Sequence, residues 1–218
     1  MNAGVVIPIE SERGQELLKL AQDGPFSDHL KNMKNAFVKQ RHNTYCGVVS
    51  LIICSNSLDK EVRKNYAGPL AEDFQEEDFF TVEQARKAVD REIVAKEGLT
   101  LDQIFELAKA LDFNPHLHRP GSSDGMMTLS SFRSLLKDCL GSKNKRIIVN
   151  YDMSVLEQEP ICHFSPLGGY HEDEDVALVL DTWQTTPVGW VTLERLYNAM
   201  KTIDPACGQL RGACVLNL

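Results

Sequence analysis

Cys46 stands at the end of the run Gln40-Arg41-His42-Asn43-Thr44-Tyr45-Cys46-Gly47, and Val48-Val49-Ser50-Leu51-Ile52-Ile53 follows. That order reads as a loop turning into a buried helix, with Asn43 or Thr44 as N-cap. A cysteine in the first turn of such a helix meets free N–H groups and the positive end of the dipole, which lower a thiol pKa. The thiolate is the strong nucleophile. Gln40, six residues upstream, is placed to donate its amide to an oxyanion forming beside the sulfur.

A nucleophilic thiol needs a base, and the chain offers histidines 29, 42, 116, 118, 163 and 171. His29 falls in an expected helix and His42 lies close to Cys46 on the same loop. His116 and His118 alternate along an expected strand, and His171 opens an acidic turn, His171-Glu-Asp-Glu-Asp175. His163 begins a strand that turns near 171–175 and returns through Val176–Asp181. A hairpin centred near residue 172 sets residue 163 against Asp181, with side chains on one face roughly 5 Å apart at Cβ. A centre shifted by half a residue breaks that opposition. A carboxylate there holds the imidazole through one nitrogen and leaves the other for the thiol.

The elements that must position these groups change character along the chain. Apolar periodicity predicts helices over about 11–22, 27–37, from Cys46 to about Asn56, 101–111 and 128–140. Thr81-Val-Glu-Gln84 and Thr100-Leu-Asp-Gln103 both match a capping box. Asp73 to Phe80 reads as a solvated acidic loop with Phe79 and Phe80 tucked down. Strands are expected at 114–118, 146–151, 163–170, 176–181, 188–191 and 213–218, with a helix over 193–200 between the last two. Helices first and strands second predict an α+β fold. It reads as one domain over 1–218: an N-terminal extension (1–20), a helical lobe (about 21–141) and a sheet lobe (about 146–218).

Composition sets bounds on function. The 218 residues hold 43% hydrophobic and 25% charged side chains, ordinary globular values. A net charge of −8 argues against general nucleic-acid binding. No run approaches the ~18 apolar residues of a membrane span, and the first ten residues lack a signal peptide's basic n-region. The cysteines 46, 54, 139, 162, 207 and 214 show no paired CxxC. They read as free thiols in a reducing, cytoplasmic setting.

The order Gln40-x5-Cys46-Gly47, His163, Asp181 resembles papain-like cysteine proteases, with Asp in the orienting place. More closely, the chain resembles the phytochelatin synthases of that clan. The likeness runs from about residue 20 to the end. Its matched stretches are Tyr45-Cys46-Gly47, Glu92 to Asp102, Ile148-Val-Asn-Tyr151, His163-Phe-Ser-Pro-Leu-Gly-Gly-Tyr170, Val176 to Asp181, Met200 to Asp204 and Arg211-Gly212. The resemblance implies a papain-like fold in which the nucleophile helix of a helical N-terminal lobe packs against a C-terminal antiparallel sheet. It implies glutathione as substrate: Cys46 cleaves off glycine, keeps γ-Glu-Cys as a thioester, and passes it to a second glutathione or to water. Arg211 and Asp204, in the matched C-terminal segment, suit the carboxylate and ammonium of a γ-glutamyl end. A structural Arg211–Asp204 ion pair is the alternative. Tyr45 and Gly47 flank the nucleophile and join the substrate-binding candidates. No covalent cofactor and no protein-held metal are expected. Stimulation by cadmium or other heavy metals carried as glutathione thiolates is left open, as is a homodimer.

The chain departs from that family at three places: Pro160-Ile161-Cys162 stands for small residues before the histidine, Met153 for a basic residue, and Thr182-Trp-Gln-Thr-Thr-Pro187 for a basic, Tyr-Pro-Pro run. These changes bear most on the acceptor site. The matched region ends with the catalytic domain, without a Cys-rich C-terminal region, as in single-domain bacterial relatives that often favour hydrolysis. Two other readings compete. One is a soft-metal buffer using Cys46, Cys54, Cys162, Cys207 and Cys214. The other is a peptidase of the same clan.

Overall fold

The computed structural model describes residues 5–63, 73–159 and 162–218. Its helices are α1 (Glu12–Gln22), α2 (Ser27–Ala36), α3 (Cys46–Asn56), α4 (Lys60–Arg63), α5 (Glu83–Ala88), α6 (Arg91–Glu97), α7 (Leu101–Ala110), α8 (Leu129–Leu140) and α9 (Leu193–Met200). Its strands are β1 (Val6–Pro8), β2 (His116–His118), β3 (Lys145–Asp152), β4 (Cys162–His171), β5 (Val176–Val179), β6 (Gly189–Thr192), β7 (Ile203–Asp204), β8 (Gln209–Leu210) and β9 (Gly212–Asn217). Seven strands form one antiparallel sheet in the order β1-β6-β5-β4-β3-β9-β2, and β7 and β8 make a separate ribbon. The α+β class is therefore as expected.

Side chains alternate across β3. Ile148 joins the core under α1, α2, α3 and α7, whereas Ile147, Val149 and Tyr151 face the core under α8 and α9. Both faces of the sheet are covered, so β3 is buried from Arg146 to Tyr151 and its centre, Ile147-Ile148-Val149, is apolar without alternation. Two expectations change here. The helix over 129–140, placed in the helical lobe, lies on the face opposite α3. The N-terminal segment supplies an edge strand, Val6 pairing Val191.

Helix α3 is apolar all round because it is packed all round: Gly47 to Ser55 are all buried. Its C-terminal end is held by Arg146, itself 1% exposed. Nε donates to Ser57 Oγ at 2.7 Å and Nη2 to Ser57 O at 2.7 Å. A cation against terminal carbonyls is the favoured sign for that end of a helix. Helix α7 starts with the capping box read from Thr100 and Gln103. The one read at Thr81–Gln84 does not form. Burial of Phe79 and Phe80 draws the chain into a 3-10 turn, Thr81 Oγ1 donates to Asp78 O, and α5 begins after an uncapped Val82.

His29 on α2 is buried and its Nε2 donates to Leu167 O at 3.2 Å. Burial and the charge of Arg146 push its pKa from 6.5 down to about 3, against a smaller upward pull from the Leu167 bond. The unfolded chain thus takes up a proton near pH 6.5 that the native ring refuses until about pH 3. Stability from this group is full above the unfolded pKa and is lost as pH falls, by up to ~1.4 kcal/mol per pH unit. Urea unfolding at about pH 7 and about pH 5 should show a loss of stability that is smaller in His29→Gln. Equal losses in the two proteins would contradict this account.

Candidate active site

Cys46 is the first residue of α3 and is partly exposed, while the helix behind it is buried. Neither expected residue caps the helix. The N-cap is Tyr45, and no side chain accepts from the first turn. Thr44 is drawn away by Val94, whose carbonyl takes its hydroxyl at 2.8 Å. The loop before Cys46 is fixed instead from the acidic segment. The Glu76 carboxylate accepts from Arg41 N at 2.7 Å and His42 N at 2.8 Å. Tyr45 is buried with its ring stacked on His42 and edge-on to Phe80. Gly47 lets α3 approach α7: a Cβ there would stand 2.8 Å from Ile104 Cδ1. The structure thus places both flanking candidates in packing positions.

His163 and Asp181 meet, but not through the expected register. Near the turn Tyr170 pairs Ala177 and His171 pairs Val176, a centre displaced from residue 172. Left uninterrupted, that register would put residues 163 and 181 on opposite faces. A bulge between Leu167 and Gly169 restores the parity, and Leu167 pairs Val179. Its signature is that Leu167 and Tyr170, three residues apart, enter the same core. Continuing the Leu167–Val179 register sets Ser165 across from Asp181 and Trp183 across from His163. The imidazole therefore reaches Asp181 on the diagonal. Nε2 lies 2.9 Å from Asp181 Oδ1. The same oxygen accepts Trp183 N at 2.8 Å, and Tyr151, bonded to Ser165 at 3.1 Å, stands 3.5 Å from Oδ2.

His163 and Asp181 are 1% and 2% exposed. Burial alone would make the imidazole hard to protonate. The negative charge at Cys46 and the hydrogen bonds to Asp181 and to the Cys46 sulfur outweigh it, and the pKa rises to about 9. Nε2 serves Asp181, so Nδ1 is the nitrogen left for the thiol.

Gln40 is buried with its oxygen accepting Thr182 Oγ1 at 2.8 Å, and its amide donates to His42 O and Asn43 O. Its NH2 braces the loop in this state. Arg211 is 1% exposed, donates through Nη1 to Thr202 Oγ1 and Ile203 O, and leaves a buried Nε unpartnered. Asp204 accepts Ala206 N at 3.0 Å. The alternative of an Arg211–Asp204 ion pair is not formed among the described residues. Both groups act on Cys162, an exposed residue whose sulfur is nonetheless partly desolvated; desolvation and then Asp204 raise its pKa, against a downward pull from Arg211. Of the residues expected to depart from the family pattern there, Pro160 and Ile161 lie outside the described residues. Met153 is fully buried in a 3-10 turn beside α9. Sequence reasoning missed Glu76, Tyr151, Ser165, Trp183 and Lys39. Tyr151 and Ser165 lay inside matched stretches and Trp183 is a bulky aromatic two residues beyond the carboxylate, whereas Glu76 and Lys39 left no such signal.

Thiol, imidazole and carboxylate, arranged from a helix N-terminus across a sheet, define a cysteine–histidine–aspartate site. The chain belongs to the phytochelatin synthase family, whose model, described as Phytochelatin synthase, matches residues 3–213. It is similar to glutathione gamma-glutamylcysteinyltransferase 3 of Lotus japonicus, 32% identical over 212 residues, 97% of this chain and 42% of the relative. It is similar to glutathione gamma-glutamylcysteinyltransferase 1 of Triticum aestivum, 31% identical over 207 residues, 94% of this chain and 39% of the relative. The enzyme of that name from Schizosaccharomyces pombe is 27% identical over 221 residues, 96% of this chain and 48% of the relative. The chain thus spans less than half the length of these curated relatives.

Proposed function

We propose that this chain is a papain-like thiol acyltransferase that cleaves glycine from glutathione and transfers γ-Glu-Cys to a second glutathione or to water. The observation that carries the reading is a buried imidazole bonded to Asp181 at 2.9 Å, with the Cys46 thiol at the start of α3 on its other side; Cys46 and then Asp181 outweigh burial and raise its pKa to about 9. The Cys46 thiol gives its proton to His163 Nδ1 and the sulfur attacks the carbonyl before glycine. The uncapped first turn of α3 offers backbone N–H groups to the oxyanion. Gln40 joins them by releasing His42 O or Asn43 O. His163 then protonates the leaving glycine amine, and γ-Glu-Cys remains as a thioester on Cys46. Asp181 keeps the ring oriented throughout. The incoming amine or water loses its proton to His163, and the thioester is resolved. Arg211, through its free Nε, takes the γ-glutamyl carboxylate, and Asp204 the ammonium.

The metal-buffer reading is weaker. Cys54, Cys139 and Cys214 are buried in apolar surroundings that raise their pKa, to about 12 for the last two. Metal binding needs thiolates. Among the described residues no cluster of three or more histidine, cysteine or acidic groups suits a metal. The free cysteines fit a reducing compartment, and we assign the cytoplasm. No described helix is long and apolar enough to cross a membrane.

Incubation with glutathione, with and without cadmium, followed by mass analysis, should yield glycine with either γ-Glu-Cys or a peptide extended by γ-Glu-Cys. Cys46→Ser should lose more than about a thousandfold in glycine release, and adding His163→Ala should cost little more, because the two act as a unit. Retention of a tenth of the rate, a change of only ~1.4 kcal/mol, would place the nucleophile elsewhere. Arg211→Lys should raise KM about tenfold and leave kcat nearly unchanged, since an ammonium loses the fork. An unchanged KM with a lower Tm would make Arg211 a brace for the Thr202–Ile203 segment alone.

A further inference from the structure

We propose that Lys39 is a positioning residue for the catalytic carboxylate: its ammonium gathers three carbonyls of the 181–186 loop and so keeps Asp181 on His163. This rests on the acyl-transfer reading above. Lys39 Nζ donates to Asp181 O at 2.8 Å, Trp183 O at 2.9 Å and Thr186 O at 2.6 Å. An ammonium has three hydrogens, and all three go to one loop. No described carboxylate lies within ion-pair distance of this half-buried cation. Burial lowers its pKa, with Asp181 and Glu10 pulling the other way. A lysine kept only for solubility or for a surface pair would not converge on three backbone oxygens.

The loop begins just past the end of β5 at Val179. The side chain of Asp181 ties the start of the loop to His163 and Tyr151 and folds back on Trp183 N. Beyond that carboxylate, the remaining ties of residues 182–184 to other segments run to the neighbours of Lys39. Gln40 N donates to Thr182 O at 2.9 Å, Thr182 Oγ1 donates to Gln40 Oε1, and Gln184 Nε2 donates to Arg41 O at 3.1 Å. The segment 39–41 therefore clamps the loop carrying the orienting carboxylate and leads directly to the nucleophile. Trp183, fixed by the same ammonium, sets its ring edge-on to His163 with centroids 6.4 Å apart. Among the described residues, the charged and titratable groups around His163 are Cys46 from α3, Asp181 from the loop and Tyr151 from β3. Lys39 touches none of the reacting atoms, so it acts through Asp181.

The test replaces Lys39 with Met, of similar length, on a stem that lines a cleft of about 430 Å³ with Ile9, Phe37 and Leu180. Lys39→Gln, which keeps two donors, serves as the milder variant should Lys39→Met fail to fold. Two readouts are used: the pH profile of glycine release from glutathione, and the pH profile of iodoacetamide alkylation at Cys46, which needs no glutathione. A released Asp181 should lower kcat about ten- to a hundredfold, as for a catalytic group displaced by about 1 Å. It should leave KM near its original value and shift the alkaline limb of both profiles to lower pH. If the ammonium acted only as a charge near the imidazole, its loss would move that limb upward. An upward shift, a change confined to KM, or unaltered profiles with a lower Tm would each overturn the proposal. If the native protein releases no glycine, the glutathione reading fails, while the alkylation profiles still decide the role of Lys39.

Discussion

The site depends on keeping a buried imidazole protonatable. At 1% exposure His163 loses nearly all of its hydration, and in such surroundings a neutral ring is the default. Two acidic partners reverse that outcome, Asp181 at Nε2 and the Cys46 sulfur on the other side. Neither suffices by position in the sequence. One comes from beyond the end of β5, the other from the start of a helix more than a hundred residues earlier. The rest of the fold holds these three groups within reach, two of them buried and the thiol partly open to solvent.

The sheet works as a ruler with one deliberate error. A regular hairpin with the observed turn would point His163 and Asp181 to opposite faces. The extra residue at Gly168 returns them to one face and sets them on a diagonal. Helix α3 is fixed at both ends, by Arg146 on Ser57 at its C-terminus and by Glu76 on the loop entering its N-terminus. Being buried all round, it has no face along which to slide. The sulfur is thus held by an element whose stability owes little to the site itself.

Much of this was legible in local pattern. The apolar run after Gly47 foretold a buried helix, and Thr100–Gln103 foretold the start of α7, because caps and periodicity are short-range signals. His163 and Asp181 were legible as a pair, yet for a partly mistaken reason. A constant sum of paired residue numbers holds only in a regular ladder, and a bulge is a tertiary adjustment that the run His163–Tyr170 marks only by its two glycines. The Thr81 capping box failed because burial of Phe79 and Phe80 overrode a local hydrogen-bond preference. Glu76 and Lys39 were beyond reach: an acidic loop and a lone lysine look solvated until the backbone atoms they serve, from distant segments, are brought beside them. The same holds for β1, three residues too few to show a period.

The charge of His163 is the property on which the site most directly depends. Labelled ring nitrogens of histidine, followed by NMR through a pH titration, report each imidazole separately. His163 should titrate near pH 9 in the native chain, and markedly lower in Cys46→Ser, where burial is unchanged but the sulfur's contribution is gone. A His163 ring that titrates at or below 6.5, or that does not respond to the loss of the sulfur, would contradict that dependence.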